Sequence, residues 1–184
     1  MKKKVVIVVV GPSGSGKSTF IDAVGLQGNV YVTSQPMIDE LNRRGSPINH
    51  DTIFEISREL YAEDPFWQVK QIQGIMEKKD FLIIDGSRRL HEIIRLKEIF
   101  RTIVVAIVSS PETRYGRLKR RVKISLGTVD EFARLEHDEQ KTMDVKDLVE
   151  TADFIIQNDA SSESSLQKLQ EAGRFLGLLL RAFV

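Results

Sequence analysis

The feature that most constrains this 184-residue chain is a junction near its start. Six β-branched residues, Val5-Val-Ile-Val-Val-Val10, run directly into Gly11-Pro-Ser-Gly-Ser-Gly-Lys-Ser-Thr19. A continuous β-branched run without polar alternation suits a strand covered on both faces, as in a parallel sheet flanked by helices. The loop has the spacing G-x-x-x-x-G-K-[ST] at Gly11, Gly16, Lys17 and Ser18. Glycines let successive backbone N–H groups turn inward on a phosphate. A helix opening after Gly16 adds the positive end of its dipole. Lys17 then reaches β- and γ-phosphates, and the Ser18 hydroxyl ligates Mg2+. Thr19 is either a phosphate contact or an ordinary helix residue.

Downstream, strands and helices alternate. Residues 29–33, 81–85, 102–108 and 153–157 read as strands. Helical spacing covers 16–25, 36–44, 51–61, 65–79, 89–100, 110 onward, 130–150 and 161 onward, with Pro65 suited to a first helical turn. Such alternation predicts right-handed βαβ units, hence an α/β fold with a parallel sheet covered on both faces. No repeat, low-complexity tract or linker interrupts it, so residues 1–184 read as one domain. Residues 122–129 (VKISLGTV), between two helices, are a candidate mobile lid.

Composition removes several chemistries. A formal charge of +1 gives no global field toward nucleic acid or membrane, so any phosphate-binding charge is local. There is no cysteine, which excludes disulfides, thiolate metal sites and a cysteine nucleophile. His50, His91 and His137 are too scattered to suggest a metal cluster. No apolar span reaches the ~18–20 residues of a membrane helix. The start, Met1-Lys-Lys-Lys4 and an apolar run, resembles a leader, but it ends in a glycine loop with no cleavage-like site. The expectation is a buried first strand and, by default, a cytoplasmic protein.

Three further groups carry chemistry. Asp85 ends an apolar strand, and carboxyl ends of strands in α/β sheets face the ligand crevice. A carboxylate there holds Mg2+ directly or through water, although Asp85-Gly86 is also a turn pair. Arg88 and Arg89 follow. Arginine is disfavoured at a helix start, which points to an anionic partner, and a guanidinium clamps phosphate bidentately; Arg88 is the better candidate. Arg114, Arg117 and Arg121 fall on one helical face at i, i+3, i+7. Arginines supplied by a closing lid stabilise a transferring phosphoryl group. The alternatives are a solvated basic face or a nucleic-acid patch; only Tyr115 interleaves the cluster, which does not favour the latter.

With these segments and Ala152-Asp-Phe-Ile-Ile-Gln-Asn-Asp159, the chain resembles the nucleoside-monophosphate-kinase-like P-loop kinases, in the adenylate-kinase-related, dephospho-CoA-kinase-like branch. The likeness runs from Val5 to about Leu169. It implies a three-layer P-loop NTPase fold with a five-stranded parallel sheet of order 2-3-1-4-5 and a small lid. It implies that Gly11, Ser13, Gly14, Ser15, Gly16, Lys17, Ser18 and Thr19 hold ATP phosphates and Mg2+. Arg88 would touch the acceptor, Arg117 and Arg121 would act from the lid side, and Asn158, Asp159 and Ala160 would lie beside the base. Acceptor-side helices would span about 36–79 and the lid about 117–130.

One departure matters. Gln35 stands where this branch often has Asp, and Ile38 where it has Arg. Glutamine cannot deprotonate a hydroxyl, whereas a phosphate acceptor needs no base. The sequence therefore reads as a Mg·ATP-dependent phosphotransferase for a small phosphorylated acceptor such as a nucleoside monophosphate. Asp39 or Asp22 are substitute carboxylates for a hydroxyl acceptor. A regulatory nucleotide-binding switch is the reading from another class. The closing helix, with Phe175, Leu176 and residues 178–180, either seals the core or forms a dimer face, so monomer and homodimer both stay open.

Overall fold

The computed structural model describes residues 4–120, 128–141, 144–159 and 163–181. Five parallel strands, β1 (Val5–Val10), β2 (Val30–Val32), β3 (Phe81–Asp85), β4 (Arg101–Val108) and β5 (Phe154–Gln157), form one sheet of order β2-β3-β1-β4-β5. The expected order holds. All six β1 residues are buried, because the strand is central and covered on both sides. Val6, Val8 and Val10 pack with Val69, Ile72, Met76, Ile93, Leu96 and Leu148 on one face. Val5, Ile7 and Val9 pack with Phe20, Ile21, Val24, Leu169 and Leu180 on the other. Each fully buried aliphatic side chain of β1 contributes roughly 1.5–3 kcal/mol.

The helices supplying these residues are α1 (Lys17–Val24), α2 (Gln35–Arg44), α3 (His50–Glu63), α4 (Trp67–Met76), α5 (Leu90–Ile99), α6 (Pro111–Leu118), α7 (Val129–Lys141), α8 (Val145–Glu150) and α9 (Glu163–Arg181). The long closing helix α9 lies directly on α1. A Cβ added at Gly173 would stand 2.6 Å from the Phe20 carbonyl oxygen, and one at Gly177 2.2 Å from that of Val24. Leu180 is buried, but Phe175, Leu178 and Leu179 face outward, so this stripe seals the core with only part of its apolar surface. No described helix is long and apolar enough to cross a membrane.

Two boundaries differ from expectation. Pro65 lies in the turn before α4, where the Asp64 carboxylate accepts the Phe66 N–H at 2.9 Å. The helix expected over 130–150 is two helices. Asp144, between them, donates its N–H to the Arg88 carbonyl at 3.0 Å and accepts the Leu90 N–H on its carboxylate at 2.9 Å. That carboxylate satisfies an orphan amide at the start of α5, and it fixes the β3–α5 loop that carries Arg88.

Candidate nucleotide and acceptor site

The loop between β1 and α1 is gripped from behind. Gly11 has φ +133° and Gly16 φ +108°, values that favour glycine. An added Cβ would meet the Ile107 carbonyl oxygen at 2.1 Å and the Asn158 amide nitrogen at 2.3 Å. Three side chains donate to the Ser15 carbonyl: Asn158 Nδ2 at 2.7 Å, Arg117 at 3.1 Å and Ser109 Oγ at 3.2 Å. Arg117 also donates to the carbonyls of Gly14 at 3.2 Å and Asn158 at 3.1 Å. A peptide whose C=O is held on one side presents its N–H to the other, which shapes an anion-binding concavity. Lys17 Nζ crosses the loop to the carbonyls of Gly11 at 2.8 Å and Pro12 at 3.1 Å. Ser18 is exposed on the first turn of α1, and Thr19 is half-buried.

This geometry corrects the expected arginine face. Arg114 is buried and forks onto Glu136 of α7 at 2.5 and 2.6 Å, with Nε donating to the Ser109 carbonyl at 3.1 Å. Its guanidinium lies 5.5 Å from the Phe132 ring centroid. Arg114 therefore clamps α7 to α6, and Arg117 braces the back of the loop. Both guanidinium groups are taken up by these protein partners. Helical spacing put them on one face correctly; the carbonyls and carboxylate that meet that face decide what they do. Arg121 and residues 122–127 of the expected lid lie outside the described residues. Asn158 is likewise a brace, and the Asp159 carboxylate accepts the Ser110 N–H at 2.6 Å at the start of α6.

Asp85 ends β3 opposite Val9, and its carbonyl accepts the Thr33 N–H and hydroxyl. Ser18 and Asp85 are hard oxygen donors at the carboxyl ends of adjacent strand units, the type that Mg2+ takes alongside phosphate oxygens. Among the described residues no group of three or more His, Cys, Asp or Glu could hold a metal by itself.

At the open end of the loop stands a residue that the sequence reading missed. Glu139 of α7 is only 2% exposed. Its Oε1 accepts the Ser13 N–H at 3.0 Å, the Ser13 hydroxyl at 2.6 Å and Arg88 at 2.7 Å. Arg88 also donates to Ser13 Oγ at 3.2 Å. Burial alone would raise the Glu139 pKa, but the Arg88 charge, the Ser13 hydrogen bond and the Lys17 charge outweigh it and hold the carboxyl below its ordinary range. A signal was present: Phe132, Leu135 and Glu139 are the buried residues of α7, so an acid continues an apolar stripe.

A second buried acid, Glu92, lies in the first turn of α5. It accepts the Tyr61 hydroxyl at 2.9 Å, and burial pushes its pKa up to about 7. Arg89 stacks over the Tyr61 ring at 4.7 Å. Nearby on β2, α4 and the β3–α5 loop, Tyr31 Oη, Trp67 Nε1 and Ser87 Oγ are buried with no hydrogen-bond partner among the described residues. Gln35 donates to Asp39 at 2.7 Å, and Gln27 to Asp22 at 2.9 Å near the far end of α1. Both carboxylates offered as substitutes for the missing Asp are thus held by neighbouring glutamines.

The sheet order, the glycine loop and the helices around it define the P-loop kinase fold. Shikimate kinase from Acinetobacter baumannii in complex with shikimate superposes with a TM-score of 0.58 at 21% identity, covering 98% of this chain and 95% of that one. A gluconokinase from Sinorhizobium meliloti 1021 does so at 0.53 and 14% identity, covering 98% and 95%. The chain belongs to the AAA domain family, whose model matches residues 7–127. A UPF0200 protein of Staphylothermus marinus is 29% identical over 170 residues, 89% of this chain and 88% of that protein.

Proposed function

We propose that this protein is a Mg·ATP-dependent phosphotransferase with a small-molecule acceptor, working in the cytoplasm as one domain. The carrying observation is the direction of the loop: Arg117, Asn158 and Ser109 hold its carbonyls from behind, so its amides and Lys17 serve the front. Gly11 to Thr19 bind the ATP phosphates, with Lys17 at the β- and γ-phosphates. Ser18 and Asp85 hold Mg2+, which supplies charge neutralisation on the phosphate oxygens. Arg88 stands at the acceptor end. The acceptor itself lies against β2 and helices α2–α4, where Tyr31, Trp67 and Ser87 offer buried polar groups. Arg121 acts from the lid side, and closure keeps water from the terminal phosphate.

The test is thermal stabilisation by Mg·ATP, followed by ADP release with a panel of nucleoside monophosphates, dephospho-CoA, shikimate, gluconate and short RNA or DNA. A ligand of the folded state raises its stability by mass action. One panel member that both stabilises the protein and releases ADP supports the reading. ATP binding without turnover on any member moves the protein to a nucleotide-binding switch. Lys17→Ala is expected to abolish Mg·ATP stabilisation; unchanged binding removes the loop from the nucleotide site.

A further inference from the structure

We infer that Glu139 is the base that takes the acceptor's proton, and that the acceptor is therefore a hydroxyl rather than a phosphate. This rests on the phosphotransferase reading and deepens it. The argument for a phosphorylated acceptor was the absence of a carboxylate at Gln35, and the substitutes Asp39 and Asp22 are each bonded to a neighbouring glutamine. The fold supplies a carboxylate from the opposite side of the site, on a helix that follows the basic segment.

Position comes first. Ser13 follows Gly11 and Pro12, whose carbonyls hold the Lys17 ammonium, so Ser13 sits at the terminal-phosphate end of the loop. Glu139 bonds to both the N–H and the hydroxyl of that residue. It is tethered by Arg88, which the β3–α5 loop brings to the same point. Of its two oxygens, Oε1 carries three of these bonds. Oε2 accepts only the Ser13 N–H at 3.1 Å among the described residues, which leaves it lone pairs for a further donor.

Charge decides between acceptor classes. The terminal phosphate of ATP already brings negative charge to this end, where Lys17 and the loop amides offset it. An acceptor phosphate would add a second anion beside the buried carboxylate with no further cation among these residues to offset it, and like charges within a few ångströms repel by several kcal/mol. Arg88, the expected clamp for that phosphate, is already neutralised by Glu139. An alcohol has no such conflict and gains a hydrogen-bond acceptor. In the step, the acceptor oxygen forms a bond to the γ-phosphorus, and the bond from that phosphorus to the β,γ-bridging oxygen breaks. The electron pair leaves with ADP. The hydroxyl proton passes to Glu139 Oε2 and from there to solvent.

The test compares wild type with Glu139→Gln, which keeps size and removes charge and basicity. Water, the simplest hydroxyl acceptor, and the hydroxyl-bearing members of the panel are the probes. Positioned proton transfer contributes about 10²–10⁴-fold, so ADP release to water or an alcohol is expected to fall at least about 10²-fold. The melting temperature should fall, because the buried pair with Arg88 is lost, but the rise produced by Mg·ATP above that lower baseline should stay near wild type, and the acid limb of the rate profile should disappear. Glu139→Asp, which restores a carboxylate one methylene shorter, should recover part of the rate. The inference is overturned if Glu139→Gln turns over as fast as wild type, or if it binds Mg·ATP far more tightly, which would make Glu139 a competitor of the terminal phosphate. It is also overturned if wild type phosphorylates only nucleoside monophosphates or turns over no hydroxyl acceptor, water included. Loss of Mg·ATP binding in wild type would instead defeat the phosphotransferase reading itself.

Discussion

Two glutamates, each 2% exposed, titrate in opposite directions. Glu139 has a guanidinium, a backbone amide, a hydroxyl and a nearby ammonium, so its charged form is favoured despite burial. Glu92 has a phenol hydrogen bond and the more distant Arg89 charge, which do not offset desolvation, and its pKa rises to about 7. Burial is the same; the donors differ. The side of the site that would meet the terminal phosphate thus keeps a fixed negative charge. The side that would meet the acceptor body keeps an acid that is partly protonated near neutral pH, able to donate as well as accept. Burial also raises the Tyr31 and Tyr61 hydroxyl pKa values, so both phenols stay neutral and able to donate.

The largest expected effect breaks the first half of this comparison. Arg88→Ala leaves Glu139 buried without its charge partner, and breaking such a pair costs about 3–5 kcal/mol. The loss should fall at the low end, because the Arg88 side chain is 35% exposed. Glu139, whose folded pKa is depressed, contributes stability above its unfolded pKa that is lost as pH falls through the folded value. Arg88→Ala should move that loss to higher pH in denaturant melts across the acid range. A variant with wild-type stability would show that Ser13 and Lys17 suffice.

Glu92 should behave in the opposite sense. Its folded pKa of about 7 lies above the ordinary glutamate value of 4.5. The folded state therefore binds the extra proton between these values, and stability falls as pH rises through that window. A shift of this size corresponds to roughly 3 kcal/mol. Glu92→Gln should flatten that slope, seen by urea melts at mildly acid and mildly alkaline pH; an unchanged slope would assign it to another group. The smallest effect sharpens the contrast within one site. Tyr61→Phe removes one hydrogen bond, worth about 0.5–1.5 kcal/mol. Because that bond lowers the Glu92 pKa, its loss should push the midpoint higher.

Much of the fold was legible. The β-branched run, the glycine spacing and the apolar strand ending in Asp85 gave β1, the loop, α1 and β3 nearly to the residue. These are local signals: period, turn chemistry and helix starts. The site was legible only where it is local too. Arg114, Arg117 and Asn158 were read as ligand contacts from their local pattern, whereas each is engaged with protein groups, and the carbonyls they meet belong to segments up to 143 residues away. Glu139 lies 126 residues from Ser13 and reads, in isolation, as one more acid on a charged helix. Glu92 lies 31 residues from Tyr61 and looks like the acidic first turn of α5.

The sequence by itself determined a parallel sheet built around β1 and a phosphate loop at its carboxyl end, because hydrophobic period and glycine spacing act between near neighbours along the chain. Only the tertiary structure decided which charges face that loop. A buried side chain takes its protonation and its partners from groups brought close in space, and at interior separations those groups outweigh everything adjacent to it in sequence.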